Sequence, residues 1–254
     1  MIIKTWLDWY LHITKVVLEV VIIGIGGVGG ELAQHLSRIL AFGSPFRKVK
    51  IIKVLLIDGD EYQLRNIDRQ AFSRIGNKAI VQAEYLSKQF PRILFGAIDR
   101  FVGEKNSDIE IPVESVVKEG RIVFLVPDNG KTRKIVNDQC ASLKNVVLIS
   151  GGNDIVDGYA HLNLRKNGKD MTPPLTYINS SVSEPKVKSP AEMGCAELAE
   201  ARPQLYLTNL DVCQSMMILF YLLPTTPIEK DLPFFRLYSD VSTGKRRVVV
   251  NHEP

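Results

Sequence analysis

Apolar positions along this chain alternate between two periods. Residues 17–26, VLEVVIIGIG, are β-branched and almost unbroken, the pattern of a strand buried on both faces. Residues 30–42, GELAQHLSRILAF, carry Leu32, Leu36, Ile39 and Leu40 at helical spacing. The alternation then repeats. KVKIIKVLLIDGD (48–60) predicts a strand ending in acids, and NKAIVQAEYLSKQF (77–90) a helix stopped by Pro91. RIVFLVPDNG (121–130) predicts a strand running into a polar turn. KTRKIVNDQCASL (131–143) predicts a helix, and NVVLISGG (145–152) another strand. Strand–helix alternation of this kind predicts an α/β fold, a Rossmann-like and mostly parallel sheet with helices on both faces. Right-handed crossovers then bring Gly24–Gly30, Asp58–Asp60, Pro127–Asn129 and Gly151–Gly152 to one edge, where such sheets bind ligands.

Beyond Ser150 the pattern changes, so the chain divides into a first half, 1–150, and a second, 151–254, within one domain. GYAHLNLRKNGKDM alternates and contains the turn pair Asn167-Gly168, which predicts a hairpin. TPPLTYINSSVSEPKVKSPAEMG, rich in Pro, Ser and Thr, predicts a long exposed crossover loop. YLTNLDVCQSMMILFYLL predicts an apolar helix, and FFRLYSDVSTGKRRVVVN a closing hairpin turning at Gly244. The second half is thus a mixed-strand extension plus the crossover loop.

Composition narrows the class. The 254 residues are 45% hydrophobic and 24% charged, ordinary for a globular protein, with a net charge of +4. That charge is too mild to demand nucleic acid but suits a polyanionic ligand or an acidic partner. Cys140, Cys195 and Cys213 are odd in number, widely spaced and without a CxxC pair. Neither a disulfide framework nor a structural zinc is expected, and a reducing cytoplasm is. No apolar run is read as reaching the roughly 20 residues of a membrane span. Asp8, His12, Lys15 and Glu19 interrupt the N-terminal stretch and argue against a signal peptide.

Candidate chemistry gathers at the predicted edge. Gly24, Gly26 and Gly29 form G-x-G-x-x-G between a strand and a helix, where absent Cβ atoms let a phosphate approach free helix-start N–H groups. Asp58, just past the next strand, suits ribose hydroxyls. A nicotinamide enzyme would use the same glycines and acid. It would not need the polar cluster Asn66, Arg69 and Gln70, nor Lys78 at the following helix start. Two cations and amides beside a nucleotide neutralise β- and γ-oxygens and steady a leaving pyrophosphate. Asp128 and Asn129 offer oxygen ligands for Mg²⁺. Plainer roles stand beside these: Asp60 as a turn residue, Lys78 as a surface lysine, Asp128-Asn129 as an Asx turn capping a helix.

Taken together, GxGGxG, D-x-D with N-x-x-R-Q, Gly76-x-Lys78 and Asp128-Asn129 with Arg133 resemble the ThiF/MoeB/HesA family, which includes the ubiquitin-activating enzymes. The resemblance extends through LISGGNDIVDGYAHLNL and GCAELAEARPQLYLTNLDVCQSMMILFYLL to the final hairpin. The chain is similar to minimal members such as the ThiF proteins of PRTRC gene systems. The resemblance implies ATP-dependent adenylation of the C-terminal glycine carboxylate of a ubiquitin-like or sulfur-carrier protein, by a homodimer or heterodimer. It implies that Gly26 and Gly27 line the nucleotide and Asp58 takes the ribose. Asn66, Arg69 and Lys78 would hold phosphates, and Asp128 would organise Mg²⁺. Cys195 lies where the family often places the cysteine that accepts the activated protein. Its neighbours Glu192, Glu197 and Glu200 would raise a thiol pKa, whereas a helix start would lower it. Two family features are missing: the paired CxxC motifs that hold zinc, and an N-terminal arginine reaching into the partner's site. Lys4 and Lys15 are poor geometric substitutes for that arginine. A non-catalytic subunit of a heterodimer is the alternative function, and an NAD(P)- or FAD-binding oxidoreductase a further one.

Overall fold

The structure, a computed structural model, describes residues 3–178 and 205–250. Strand β1 (Val17–Ile23) lies in the middle of a nine-stranded sheet. On one side it is followed by β2 (Ile51–Ile57) and β5 (Ile93–Ile98), on the other by β8 (Ile122–Leu125) and β9 (Val146–Asn153), all parallel. The sheet continues antiparallel through β10 (Asp157–Lys166), β12 (Arg236–Asp240) and β13 (Lys245–Val249), and β11 (Lys169–Asp170) pairs with β10. The predicted hairpin turns are present, with Asn167 and Gly168 at φ 52° and 80° and Gly244 at 67°. The mostly parallel α/β sheet with a mixed-strand extension is therefore as expected.

Alternation along β1 assigns its two faces. Leu18, Val20 and Ile22 point into one core with helices α1 (Trp6–Ile13), α2 (Gly27–Phe42), α3 (Lys78–Gln89) and α7 (Tyr206–Thr225). Val21 and Ile23 point into the other, with α4 (Val113–Val116), α5 (Gly130–Ser142) and α6 (Leu175–Ile178). The chain leaves β1 toward β2 and β5, then returns to β8 on the far side of β1. The strand order reverses between β1 and β8, and a crevice at such a switch point is where open α/β sheets take ligands.

Three features differ from the sequence expectations. The N-terminal stretch forms α1, started by a capping box of Thr5 and Asp8 and docked on α7. Its Trp6 indole N–H donates to the Lys230 carbonyl. Strand β5 went unpredicted, because its burial is shallow and a glycine interrupts it. The Pro-rich loop does not begin exposed: Thr172 is buried, its hydroxyl donates to the Leu162 carbonyl, and Leu175 is fully buried in α6. In addition, α7 has 20 residues and mean hydropathy 1.2, enough by length and composition alone to cross a membrane. That corrects the expectation that no run reaches this length. Here half of α7 is buried, packed on α2, β9 and β10.

Candidate nucleotide site

The glycine loop is built by close approach. Gly24 has φ +91°, and a Cβ there would lie 2.8 Å from the Val126 carbonyl oxygen. A Cβ on Gly29 would lie 1.9 Å from the Gly24 carbonyl oxygen. These two glycines let the loop fold against β8 and against itself. Gly27, the first residue of α2, packs against the carboxamide of Asn209. Gly26 is different. It is the N-cap of α2, and among the described residues no side chain caps the helix there and a Cβ on it would meet nothing within 4 Å. The start of a 16-residue helix thus opens onto free space. Its first N–H groups, with the positive end of the helix dipole, favour an anion.

Asp58, at the end of β2, ties this loop to the next strand. One carboxylate oxygen accepts from the Ile25 N–H at 2.5 Å, the other from the Asp60 N–H at 2.8 Å. Burial raises its pKa to about 6; Lys78 opposes the rise, and Asp60 adds to it. The network continues outward. Asn77 donates to the carbonyls of Asp58 and Asp60 while its own side-chain oxygen caps α3 at Ile80. Lys78, 8% exposed, lies on the first turn of α3, with Nζ 3.1 Å from the half-exposed Asp60 carboxylate. The chain of contacts from Ile25 through Asp58 and Asp60 places the lysine beside the glycine loop. Asp60 is both turn residue and lysine partner.

Between Asp60 and Asn77 the chain makes a 3-10 turn, Leu64–Asn66, held by Asn66. The Asn66 side-chain oxygen accepts from the Gln63 N–H at 3.0 Å, and the Asn66 carbonyl accepts from the N–H groups of Arg69 and Gln70. Asn66 therefore shapes the segment, leaving only its amide –NH₂ for a ligand. Among the described residues the Arg69 guanidinium has no ion pair and the buried Gln70 Oε1 lacks a hydrogen-bond partner. Across the crevice, Asn129 caps α5 by accepting from the Thr132 N–H at 2.8 Å. The expected Asx cap is thus formed, and Asn129 holds the turn with the oxygen that a metal would need. Asp128 next to it is exposed, its carboxylate unengaged among the described residues. Arg133 is buried and fixes this turn, donating to the carbonyls of Pro127 (2.6 Å) and Gly151 (2.7 Å) and to the Ser150 hydroxyl (2.7 Å).

These residues fit a nucleotide with a polyphosphate tail. A helix start, Arg69, unpaired among the described residues, and buried Lys78 match phosphate oxygens, and buried Asp58 matches a sugar hydroxyl. One carboxylate, Asp128, unengaged among the described residues, is what Mg²⁺ takes when phosphates and water complete its shell. Among the described residues no three His, Cys, Asp or Glu side chains gather as a metal cage. Cys195 lies outside the described residues. Cys140 and Cys213 are buried, and burial pushes each thiol up to about 12, so both are packing residues.

Asn77 and Asn209 are parts of the site that sequence reasoning missed. Asn77 carried a signal, an Asn immediately before an apolar-periodic helix. Asn209 carried a fainter one, a lone amide in the first turn of an otherwise apolar helix.

The model of the ThiF family matches residues 12–191. The chain belongs to the ThiF family. The adenylyltransferase and sulfurtransferase MOCS3 of Dictyostelium discoideum is 33% identical to it over 133 residues, which are 52% of this chain and 28% of that protein. The chain thus matches little more than a quarter of the length of that relative. Among solved structures, E. coli MccB with MccA-N7isoASN superposes with a TM-score of 0.63 at 18% identity, covering 96% of this chain and 67% of MccB. E. coli MccB with ATP superposes with a TM-score of 0.63 at 17% identity and the same coverage. PaaA does so with 0.63 at 14% identity, covering 97% of this chain and 68% of PaaA. At these identities the likeness shows the Rossmann-like ThiF fold.

Proposed function

We propose that the chain is an E1-like adenylyltransferase that activates a C-terminal glycine carboxylate of a ubiquitin-like or sulfur-carrier protein with ATP. The observation carrying this reading is the juxtaposition of an open glycine helix start with Lys78 and Arg69. MOCS3 and the ThiF-type fold support it.

Each residue has a defined task. Gly24 and Gly29 form the loop, Gly26 admits the phosphates, Gly27 offers them its helix-start N–H while its bare Cα admits Asn209, and Asp58 accepts from the ribose. Asp60 and Asn77 set Lys78 in place. Asn66 and Gln70 shape the segment that carries Arg69. In the reaction a carboxylate oxygen of the protein substrate attacks the α-phosphorus. The bond from that phosphorus to the α,β-bridging oxygen breaks, and pyrophosphate leaves with the electron pair. The substrate becomes an acyl-adenylate. Arg69 and Lys78 balance the charge that grows on the departing oxygens, so positioning and electrostatics carry the rate. Asp128 would hold Mg²⁺, which would supply further positive charge to the phosphates, and Asn129 with Arg133 keeps that turn in place. Cys195 then takes the acyl group as a thioester, releasing AMP. The active form is a homodimer or heterodimer in the cytoplasm, with residues 151–254 facing the protein substrate.

Pyrophosphate exchange into ATP, in the presence of a glycine-terminated ubiquitin-like or sulfur-carrier protein, tests the proposal. Exchange that disappears in Lys78→Met supports it. A chain that binds Mg·ATP yet exchanges with no such protein is instead a non-catalytic partner subunit. Cys195→Ala is expected to keep the exchange and lose a thiol-labile adduct; an adduct that survives removes Cys195 from the mechanism.

A further inference from the structure

The fully buried Asn209 sits on α7, far in sequence from the nucleotide motifs, yet it joins three pieces of the site. Its carboxamide fills the space that a side chain on Gly27 would occupy: a Cβ there would lie 2.1 Å from Asn209 Nδ2. Nδ2 donates to the Arg69 carbonyl at 3.4 Å. Oδ1 accepts from Asn153 Nδ2, at the end of β9, at 2.9 Å. The order Asn153, Asn209, Arg69 fixes which way the amide points, because the reverse orientation sets oxygen against oxygen and N–H against N–H. A buried amide with both ends used is a costly choice inside an apolar helix unless its partners need holding.

We propose that Asn209 is a positioning residue for the nucleotide site. It sets the Arg69 segment at a fixed distance from the glycine loop and registers both against the end of β9. Elsewhere that segment is held from within by Asn66, so the Asn209 bond is its tie to the loop. The proposal rests on the reading that Arg69 faces phosphate. Residues with other chemistry at 209 have graded consequences. Alanine removes the tie. Aspartate keeps the Asn153 bond but turns a second oxygen toward the Arg69 carbonyl, so it pushes the segment away.

The test is a double-mutant cycle between Asn209→Ala and Arg69→Ala, with Mg·ATP affinity read by calorimetry. Asn209→Ala is expected to weaken binding about fivefold to tenfold and Asn209→Asp more. The double variant should bind no worse than Arg69→Ala alone. Losses that multiply in the double variant overturn the proposal, since a general structural role has no reason to act through Arg69. A second readout is independent of nucleotide. Hydrogen exchange at the Arg69 and Gln70 amides should rise at least about tenfold in Asn209→Ala, while β1 and β2 amides keep their protection. Unchanged protection at those two amides also overturns it. If the wild type fails to bind Mg·ATP, the functional reading falls, and exchange alone decides whether Asn209 holds the segment. Asn209→Ser, which stays polar, replaces alanine if the latter does not fold.

Discussion

A methyl group added at Gly26 and one added at Gly29 separate the ligand-facing side of the loop from its structural side. At Gly29 the new carbon would sit 1.9 Å from the Gly24 carbonyl oxygen and 2.9 Å from its carbon. Both are backbone atoms, so the loop must shift. Overpacking of that kind costs about 1–3 kcal/mol. In a helix free of this clash, Gly→Ala would instead stabilise by about 0.5–1 kcal/mol. Net of that gain, Gly29→Ala is expected to lower stability by up to about 2.5 kcal/mol, with loss of nucleotide binding. At Gly26 the methyl meets nothing within 4 Å. Its φ is −80°, outside the left-handed region, with ψ −149°. A gain of about 0.4–1 kcal/mol from the restricted unfolded chain is offset by a loss of similar size, about 0.5–1 kcal/mol, because alanine is a poorer N-cap than glycine. Gly26→Ala should thus stay within about 0.5 kcal/mol of wild type in urea denaturation. It should still weaken Mg·ATP by at least about tenfold, 1.4 kcal/mol, in calorimetry, because the methyl occupies the approach to the helix-start N–H groups. Gly26→Ala that binds Mg·ATP as the wild type does, with Gly29→Ala destabilised as expected, would refute the assignment of this loop to phosphate.

Lys78→Met should weaken Mg·ATP about tenfold to a hundredfold, the worth of a charge-assisted contact, while stability changes by under about 1 kcal/mol because its Asp60 partner is half-exposed; an unchanged dissociation constant removes the lysine from the phosphate site. Asp58, raised to about 6, accepts a ribose O–H more strongly when ionised, so Mg·ATP affinity should rise from pH 5 to 7, with proton release in calorimetry that peaks near pH 6. The same shift means that Asp58 itself favours the folded chain below its unfolded value, 3.8, and loses that contribution as pH rises through about 6. A flat affinity profile from pH 5 to 7 would contradict the ribose role. His161 is fully buried, hydrogen-bonded to the Pro173 carbonyl and lowered to about 3 by burial and by Arg236. Below pH 6.5 the unfolded chain binds a proton that the folded chain refuses. Stability should therefore fall from pH 6.5 toward 3, and His161→Gln should flatten that slope; equal slopes would discount the histidine. Finally, Cys140 and Cys213 should resist a thiol reagent at pH 8 in the native chain and react after denaturation.

Much of this architecture was legible in the residues because period and chemistry agreed. The buried runs at 17–26 and 145–152 and the helical spacing after Gly30 specified parallel strands with covering helices, and Asn167-Gly168 specified its turn. The nucleotide edge followed from topology, since each strand that ends in glycine or acid ends on the same side. Other parts depend on contacts that no local pattern records. Strand β5 is held by pairing with β2, not by its own apolar period. The first turn of the Pro-rich loop is buried because Thr172 and Leu175 reach β10 and α5. That Asn66 and Asn129 spend their side-chain oxygens on their own turns, while Asp128 and Arg69 form no ion pair among the described residues, depends on backbone geometry invisible in a motif. Asn209 belongs to the site only through the fold.

The most direct test of the central claim is a crystal structure of the chain soaked with Mg·ATP. The account predicts phosphates over Gly26 and Gly27 within hydrogen-bond reach of Arg69 and Lys78, the ribose at Asp58 and the metal at Asp128. A nucleotide bound with its phosphates away from Arg69 and Lys78, or a dinucleotide cofactor taking the loop in preference to ATP, would contradict it.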